Sequence, residues 1–504
     1  MDIVSNLALG LEVAFTPTNL LYCFFGVFVG TFVGVLPGIG PLAAISMLFP
    51  ITFHLEPTTA LIMLAGIYYG TAYGSSTASI LLNIPGGTSS AITCLDGYPM
   101  SKQGRGGIAL FITAVGSFFG GVVGILVLSI FTPLIAKYAL TFGSAEYFSL
   151  MVFGLVAAST ISDGSAIKGL SMVVLGAILA TAGMDPQSGT ARFTFGSLDM
   201  LDGLSISALA MGVFGVAEII ASVGRTEIAQ VDPKAINFRS MIPTREDVRR
   251  SIMPMVRSSW IGSIFGALPG TGVSIASFMS YAVEKKVSKR PEEFGKGAIE
   301  GVVAPETANN AADQTAFVPT LSLGIPGSAT MALMIGALMV HGIHPGPNLI
   351  TEEPEIFWGL VMSFWIGNVL LVILNLPLIG LWVRLLLVPY HLLYPAILMF
   401  VSIGAYSVRY SGFDVMVVLG FGALGYLLRV LALPAAPLLL GFVLGPLVEQ
   451  HFRRAMVLAR GDFTEILTRP ISGTVLVITA VMVVWTIWSA VRTRRPADDE
   501  AMEV

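Results

Sequence analysis

Apolar runs long enough to cross a bilayer follow one another along almost the whole chain, and they leave it very few folds. A span needs about 20 apolar residues. Candidate segments lie near residues 19–53, 58–83, 87–99, 106–134, 147–162, 167–183 and 204–221, and again near 258–283, 297–324, 328–343, 356–382, 392–408, 412–447 and 471–491. Lipid offers no partner to an exposed backbone N–H or C=O, so only helices and closed barrels span it. Nothing in these runs alternates as a barrel strand would. The expected fold class is an all-α integral membrane protein, a helical bundle in the lipid bilayer. Composition agrees: of 504 residues, 55% are hydrophobic and 12% charged, against about 25% charged in a soluble domain, and mean hydropathy is +0.82. The net charge of −4 says little, because the placement of Lys and Arg matters more than their sum. Cys23 and Cys94, the two cysteines, sit in apolar surroundings and read as small buried hydrophobes, with no disulfide framework or Cys-based metal site. The N-terminus has no basic n-region and carries Asp2 and Glu12, so it does not read as a cleaved signal peptide.

Three glycine ladders, Gly26/Gly30/Gly34, Gly66/Gly70/Gly74 and Gly116/Gly120/Gly124, have the spacing of four that lets helix backbones approach closely. A second pattern breaks helices. "GVLPGIG" at Gly34 returns as "GALPGTG" at Gly266, with Gly30, Gly34, Leu36, Pro37, Gly38 and Gly40 matched at a constant offset of 232. "ILLNIPGGTSS" at Ile80 pairs with "LSLGIPGSAT" at Leu321, which sets Pro85 against Pro326 at an offset of 241. The difference fits the linker "EKKVSKRPEEFGK", which the first half lacks. The chain therefore reads as an internal duplication: a first repeat at 1–221, a join at 222–257 and a second repeat at 258–447. An interfacial amphipathic segment at 448–470, a C-terminal transmembrane helix at 471–491 and a charged tail at 492–504 follow.

Charge orients the halves. The join holds seven basic residues, Arg225, Lys234, Arg239, Arg245, Arg249, Arg250 and Arg257, which places it in the cytoplasm. "SKQGRGG" after the first IPG element is basic while its counterpart "HGIHPGPNLITEEPE" is acidic; "HLEP" after the first LPG element has no Lys or Arg while its counterpart linker has five. Opposite bias at equivalent points predicts inverted repeats, with 284–296 cytoplasmic and 344–355 periplasmic. Arg257 and Lys285 then both belong to the cytoplasm. Residues 258–283 enter and leave on one side as a re-entrant pair of arms, each roughly 17 Å, about half the bilayer.

A break at that depth is tolerated only where protein or a water-filled cavity meets the freed backbone groups. Helix N-termini suit carboxylates and exposed carbonyls suit a small cation. The expected substrate-binding residues are Pro37, Gly38 and Gly40, Pro269, Gly270 and Gly272 in the LPG breaks, with Pro85, Gly86, Gly87, Thr88 and Ser89, and Pro326, Gly327 and Ser328, in the IPG breaks. In "EGVVAPETANNAADQTAF", Glu306, Asn309, Asn310 and Asp313 are the expected cation-binding residues. Glu306, Asn310 and Asp313 share a helix face by spacing, and a carboxylate with amide oxygens suits a hard cation such as Na⁺. Two other readings stand beside it: these residues cap helix ends and pair with the basic linker at 285–296, or the carboxylate carries a coupling proton.

The blocks "GVLPGIG", "YYGTAYGSSTASILLNIPGGTSSAITCLDGYPM", "GALPGTG" and "GAIEGVVAPETANNAADQTAFVPTLSLGIPGSATMALMIGALMVHGIHPGP" resemble TctA, the large membrane subunit of the tripartite tricarboxylate transporters. The resemblance implies a bacterial inner-membrane permease, a di- or tricarboxylate substrate delivered by a periplasmic solute-binding protein (TctC-like), a small membrane subunit (TctB-like), and an ion gradient, usually Na⁺, as the driving force. No cofactor beyond the coupling ion and no nucleic-acid partner are expected. A self-sufficient carboxylate carrier is the alternative within the class. An intramembrane enzyme would need a nucleophile with its base on facing helices, and Glu300, Glu306 and Asp313 lack a partner His. There is no GxxxxGK[ST] for ATP and no HExxH among His54, His341, His344, His391 and His451. The chain is not expected to be an enzyme.

Overall fold

Proline and glycine set many of the helix boundaries. Pro17, Pro41, Pro57, Pro347 and Pro354 each open a helix, where a backbone N–H would have had no intrahelical partner. The computed structural model describes residues 3–36, 39–161, 165–185, 187–222, 236, 238–268, 272–386 and 390–493. Pro37, Gly38, Pro269, Gly270, much of the join and the tail from 494 lie outside the described residues. The chain is 80% helical. Among the described residues β structure is confined to Gly183–Met184, antiparallel to Ala191–Arg192. Six helices among the described residues are long and apolar enough to cross a membrane: Pro17–Val35, Gly106–Ala139, Pro354–Asn375, Gly412–Val430, Ala435–Leu458 and the stretch Pro470–Trp488. The apolar run at 412–447 is thus two helices, and the boundary drawn at 448 falls inside the second.

The two helices at the centre are absent from those six. Pro57–Leu82 is buried from Thr59 to Leu81, and every residue of Glu300–Thr315, which Phe317–Leu323 continues, is buried. A helix that other helices shield from lipid is free to carry polar groups, whereas the surrounding shell is not.

Each centre helix takes one neighbour at very close range. Gly26, Gly30 and Gly34 of Pro17–Val35 lie on Met63, Ile67 and Thr71, where an added Cβ would come within 2.3, 2.5 and 2.3 Å of the three carbonyl oxygens. In the second half Gly262 and Gly266 of Arg245–Ala267 lie on Ala308 and Ala312, at 2.3 and 2.5 Å from their carbonyl oxygens. These contacts are related by the same offsets, 232 and 241, that the Pro-Gly motifs show. The backbone repeats as well: Asn83 (φ 60°, ψ 28°) and Gly324 (φ 68°, ψ 23°) are matched left-handed C-caps, and Gly87 (φ −154°, ψ 172°) matches Ser328 (φ −156°, ψ 170°).

The halves also exchange helices. Gly116, Gly120 and Gly124 of Gly106–Ala139 pack on Thr307 and Ala311 of the other half's centre helix, and Gly367 of Pro354–Asn375 packs on Tyr69. The two centre helices cross antiparallel: Ser76 meets Glu306, while Tyr68, two turns earlier, lies near Asp313 and Phe317.

Charge collects at the two ends. At one, Arg105 pairs with Asp247 (2.5 Å), Arg250 with Glu300 (2.7 Å) and Arg257 with Glu284 (2.5 Å). Buried Asp96 accepts hydrogen bonds from the N–H groups of Gly295, Gly297 and Ala298 and from the Tyr281 hydroxyl, each 2.8 Å. That contact ties the first half's IPG element to the second half's linker. Gly106–Ala139, about 50 Å long at 1.5 Å per residue, runs from this end to the other. There Arg469 pairs with Glu146 (3.4 Å), and Arg192 and Arg453 share Asp185 and Glu449. Bonds from the Gln187 N–H and Ser188, with the two guanidiniums, hold the Asp185 carboxyl well below the usual range.

Candidate functional site: helix breaks around a polar centre

The helix Pro17–Val35 ends at Leu36 (φ −72°, ψ 122°) and restarts at Pro41, with Gly40 (φ −80°, ψ 173°) as its N-cap. A Cβ on Gly40 would stand 3.3 Å from the Gly86 carbonyl oxygen, and one on Gly87 3.7 Å from Pro41 Cδ. The LPG and IPG breaks of the first half therefore touch. In the second half Gly327 lies next to the Gly266 carbonyl, at 3.6 Å from an added Cβ. The halves meet at Thr88, whose hydroxyl is 2.5 Å from Ser274 on the second LPG arm, Gly272–Val287.

The glycines serve different needs. At Gly86 a Cβ would fall 2.5 Å from Ser75 Cβ, so the neighbouring volume is filled by the chain itself. Gly272 has open space around it but φ +68°, which favours glycine on conformation alone. Gly327 has only ordinary contacts. Ser328 caps its helix by accepting from the Met331 N–H (3.3 Å). Exposure differs at part of the matched IPG elements: Asn83, Ile84 and Thr88 are exposed and Pro85 half-buried where their counterparts Gly324, Ile325, Ala329 and Pro326 are buried, while Gly86 and Gly327 are both buried. A cavity of about 340 Å³ reaches Gly40 and is lined by the Glu218–Arg429 ion pair (2.7 Å) and by the π-helix Met211–Val216. π-helical turns are frequent at functional sites.

Behind the breaks lies the polar centre. Glu306, 0% exposed, accepts from the Ser76 and Thr93 hydroxyls at 2.6 Å each. The Asn310 amide turns back to the Glu306 carbonyl (3.0 Å). Both side-chain atoms of Asn309, Asp313 Oδ2, Gln314 Oε1 and the Tyr68 hydroxyl are buried without a hydrogen-bond partner. The four expected cation-site residues thus divide into a satisfied pair, Glu306 and Asn310, and an unsatisfied pair, Asn309 and Asp313, four apart on one face. No linker Lys or Arg pairs with any of them among the described residues; Arg250 takes Glu300 instead, and Arg290 takes Glu246 and Glu293. No three His, Cys, Asp or Glu side chains gather among the described residues as a transition-metal site would require. Sequence reasoning missed Tyr68, Ser76 and Thr93. The one available signal was the density of hydroxyls in "YYGTAYGSSTAS", too polar for a lipid-facing helix.

A polar centre inside an apolar shell, with interrupted helices beside it, has the features that a solute pathway through a membrane requires. Two curated proteins of Agrobacterium vitis are similar to the chain. "Uncharacterized 52.8 kDa protein in TAR-I ttuC' 3'region" is 51% identical over 495 residues, 98% of each chain. "Uncharacterized protein in TAR-II ttuC' 3'region" is 55% identical over 234 residues, 46% of this chain and 97% of that protein. No solved structure matches significantly. Residues 20–440 match the Tripartite tricarboxylate transporter TctA family, and with both centre helices and all four breaks inside that span, the chain belongs to this family of transport proteins.

Proposed function

We propose that the protein is the permease subunit of a cation-coupled tripartite transporter that imports a di- or tricarboxylate across the bacterial inner membrane. It takes the solute from a periplasmic binding protein and works beside a small membrane subunit. The two halves are inverted repeats: two helices equivalent by sequence offset that cross antiparallel are related by a two-fold axis normal to both, which for membrane-crossing helices lies in the membrane plane. The LPG and IPG breaks hold the carboxylate through helix N-termini and freed N–H groups. Equal backbone with unequal exposure at the two IPG breaks suits alternating access, in which one gate is open while its counterpart is shut.

The observation that carries the coupling is the unsatisfied pair Asn309 and Asp313 beside Tyr68. Buried polar atoms without partners are costly, and Na⁺ would take Asn309 Oδ1, Asp313 Oδ2 and the Tyr68 oxygen as hard ligands. Glu306, held by Ser76 and Thr93, supplies second-sphere charge. The test is uptake of labelled citrate, malate or succinate into vesicles with the binding protein present, across a Na⁺ titration at fixed pH. Asp313→Asn and Asn309→Ala should raise the half-saturating Na⁺ concentration about tenfold or more, the loss of one charge-assisted contact, with Asn310→Ala far weaker. An unchanged Na⁺ response in both would discard the site.

A further inference from the structure

A second cavity, of about 480 Å³, lies at the end of the molecule that carries the turn after Ala139 and the loop at 344–348, the face proposed above to be periplasmic. Leu323 and Gly324, just before the second IPG break, line it together with Tyr147, His344, Asn348, Gln450, His451 and Arg454. No Asp or Glu does. Three other arginines at this end are neutralised, Arg192 and Arg453 by Asp185 and Glu449 and Arg469 by Glu146. Arg454 is exposed and has no carboxylate partner among the described residues. His451, three residues earlier on the same helix face, has a buried Nδ1 without a hydrogen-bond partner, and its ring lies against Tyr147 with centroids 5.2 Å apart.

An unpaired guanidinium, an unsatisfied imidazole nitrogen and two side-chain amides in a cavity free of carboxylates make a site for an anion. Its volume falls in the range of small-molecule sites, about 300–1,000 Å³. The guanidinium fork matches one carboxylate bidentately, and the amides and His344 remain for a second carboxylate. We propose that this cavity is a capture site for a small di- or tricarboxylate anion, separate from the helix breaks and reached before them. The inference rests on the carboxylate reading of the family and adds a site to it.

The test uses the full-length protein in detergent, without a binding protein, and reads thermal stabilisation by citrate, malate and succinate, with sulfate as the non-carboxylate anion. At least one carboxylate should stabilise the wild type saturably. Arg454→Gln should raise its half-saturating concentration about tenfold or more, and Arg454→Lys, which keeps charge but loses the fork, about threefold; the Lys variant decides the question if the Gln variant does not fold. Gly420→Ala, with nothing within 4 Å of an added Cβ and no part in either site, should leave the effect in place. No response to any of the three carboxylates, an unchanged midpoint in both Arg454 variants, or a sulfate response equal to theirs would overturn the capture site. Loss of the effect in Gly327→Val alone would confine the carboxylate to the breaks and leave the transport reading standing. Saturable, Arg454-dependent binding in a protein that accumulates no carboxylate in vesicles would sink the transport reading and leave the site.

Discussion

Asp96 is 0% exposed, and replacing it by alanine removes the acceptor for three backbone N–H groups and one phenol, each held at 2.8 Å. Hydrogen bonds to a charged acceptor contribute about 1.5–3 kcal/mol apiece. The desolvation of the carboxylate offsets much of that sum, so Asp96→Ala should cost about 3–5 kcal/mol, the range for removing one member of a buried charged network. Asp96→Asn keeps Oδ1 for the three N–H groups and lets the Tyr281 hydroxyl rotate, so its cost should be about 1–2 kcal/mol. Gly301→Ala attacks the same contact from the other side, since a Cβ there would stand 2.2 Å from Asp96 Oδ2. The two lesions share one target, so the double variant should lose clearly less than the sum of the singles. Unfolding of the purified protein in a mixed-detergent titration measures all four. An alanine variant within about 0.5 kcal/mol of wild type, or strict additivity with Gly301→Ala, would refute the reasoning.

Gly120→Ala places a methyl 2.1 Å from the Thr307 carbonyl oxygen and should destabilise by about 1–3 kcal/mol through overpacking, while Gly420→Ala, with nothing within 4 Å, should be neutral or slightly stabilising in the same titration. Acid should loosen the end near 245–300 before the centre helices. Burial pushes the Asp247 carboxyl up, but the Thr244 N–H and hydroxyl and the Arg105 guanidinium outweigh it and hold the group below its ordinary range, as Arg250 does for Glu293. Both values are depressed by folding, so their stabilisation is complete above about pH 5 and is lost as pH falls through the folded values. Hydrogen exchange from pH 6 to about pH 3 should show protection in residues 245–300 falling before that of the centre helices; uniform loss would contradict it.

The repeated Pro-Gly pattern was legible because Pro and Gly at fixed spacing survive as letters, and its two offsets also relate the packing of Gly30 on Ile67 to that of Gly262 on Ala308. The matched left-handed caps were hidden, since one position is Asn83 and the other Gly324, residue types that share that conformation for different steric reasons. The richness of the polar centre was legible in "PETANNAADQ", but its internal division was not. Glu306 is satisfied because Ser76 and Thr93 reach it, while Asp313 Oδ2 finds no partner, and both outcomes depend on how segments 213 or more residues apart in sequence come together. A hydroxyl on a buried helix usually bonds its own backbone, as Thr71 does with the Ile67 carbonyl (2.6 Å), so nothing in the letters distinguishes the hydroxyls that do not.

The exchange of long helices between halves bears on how the protein is made. Gly116, Gly120 and Gly124 find their partners on Thr307 and Ala311, which leave the ribosome roughly 190 residues later, an interval of about 10–40 s at ordinary rates of synthesis. During that interval Gly106–Ala139 waits in the bilayer with its glycine face turned to lipid or to whatever insertion factor covers it. Pro57–Leu82 likewise lacks Pro354–Asn375 until nearly three-quarters of the chain has been translated. Release from the insertion machinery after the first half would leave Pro57–Leu82 packed on Pro17–Val35 but not on Pro354–Asn375, and the glycine face of Gly106–Ala139 without the helix that covers it.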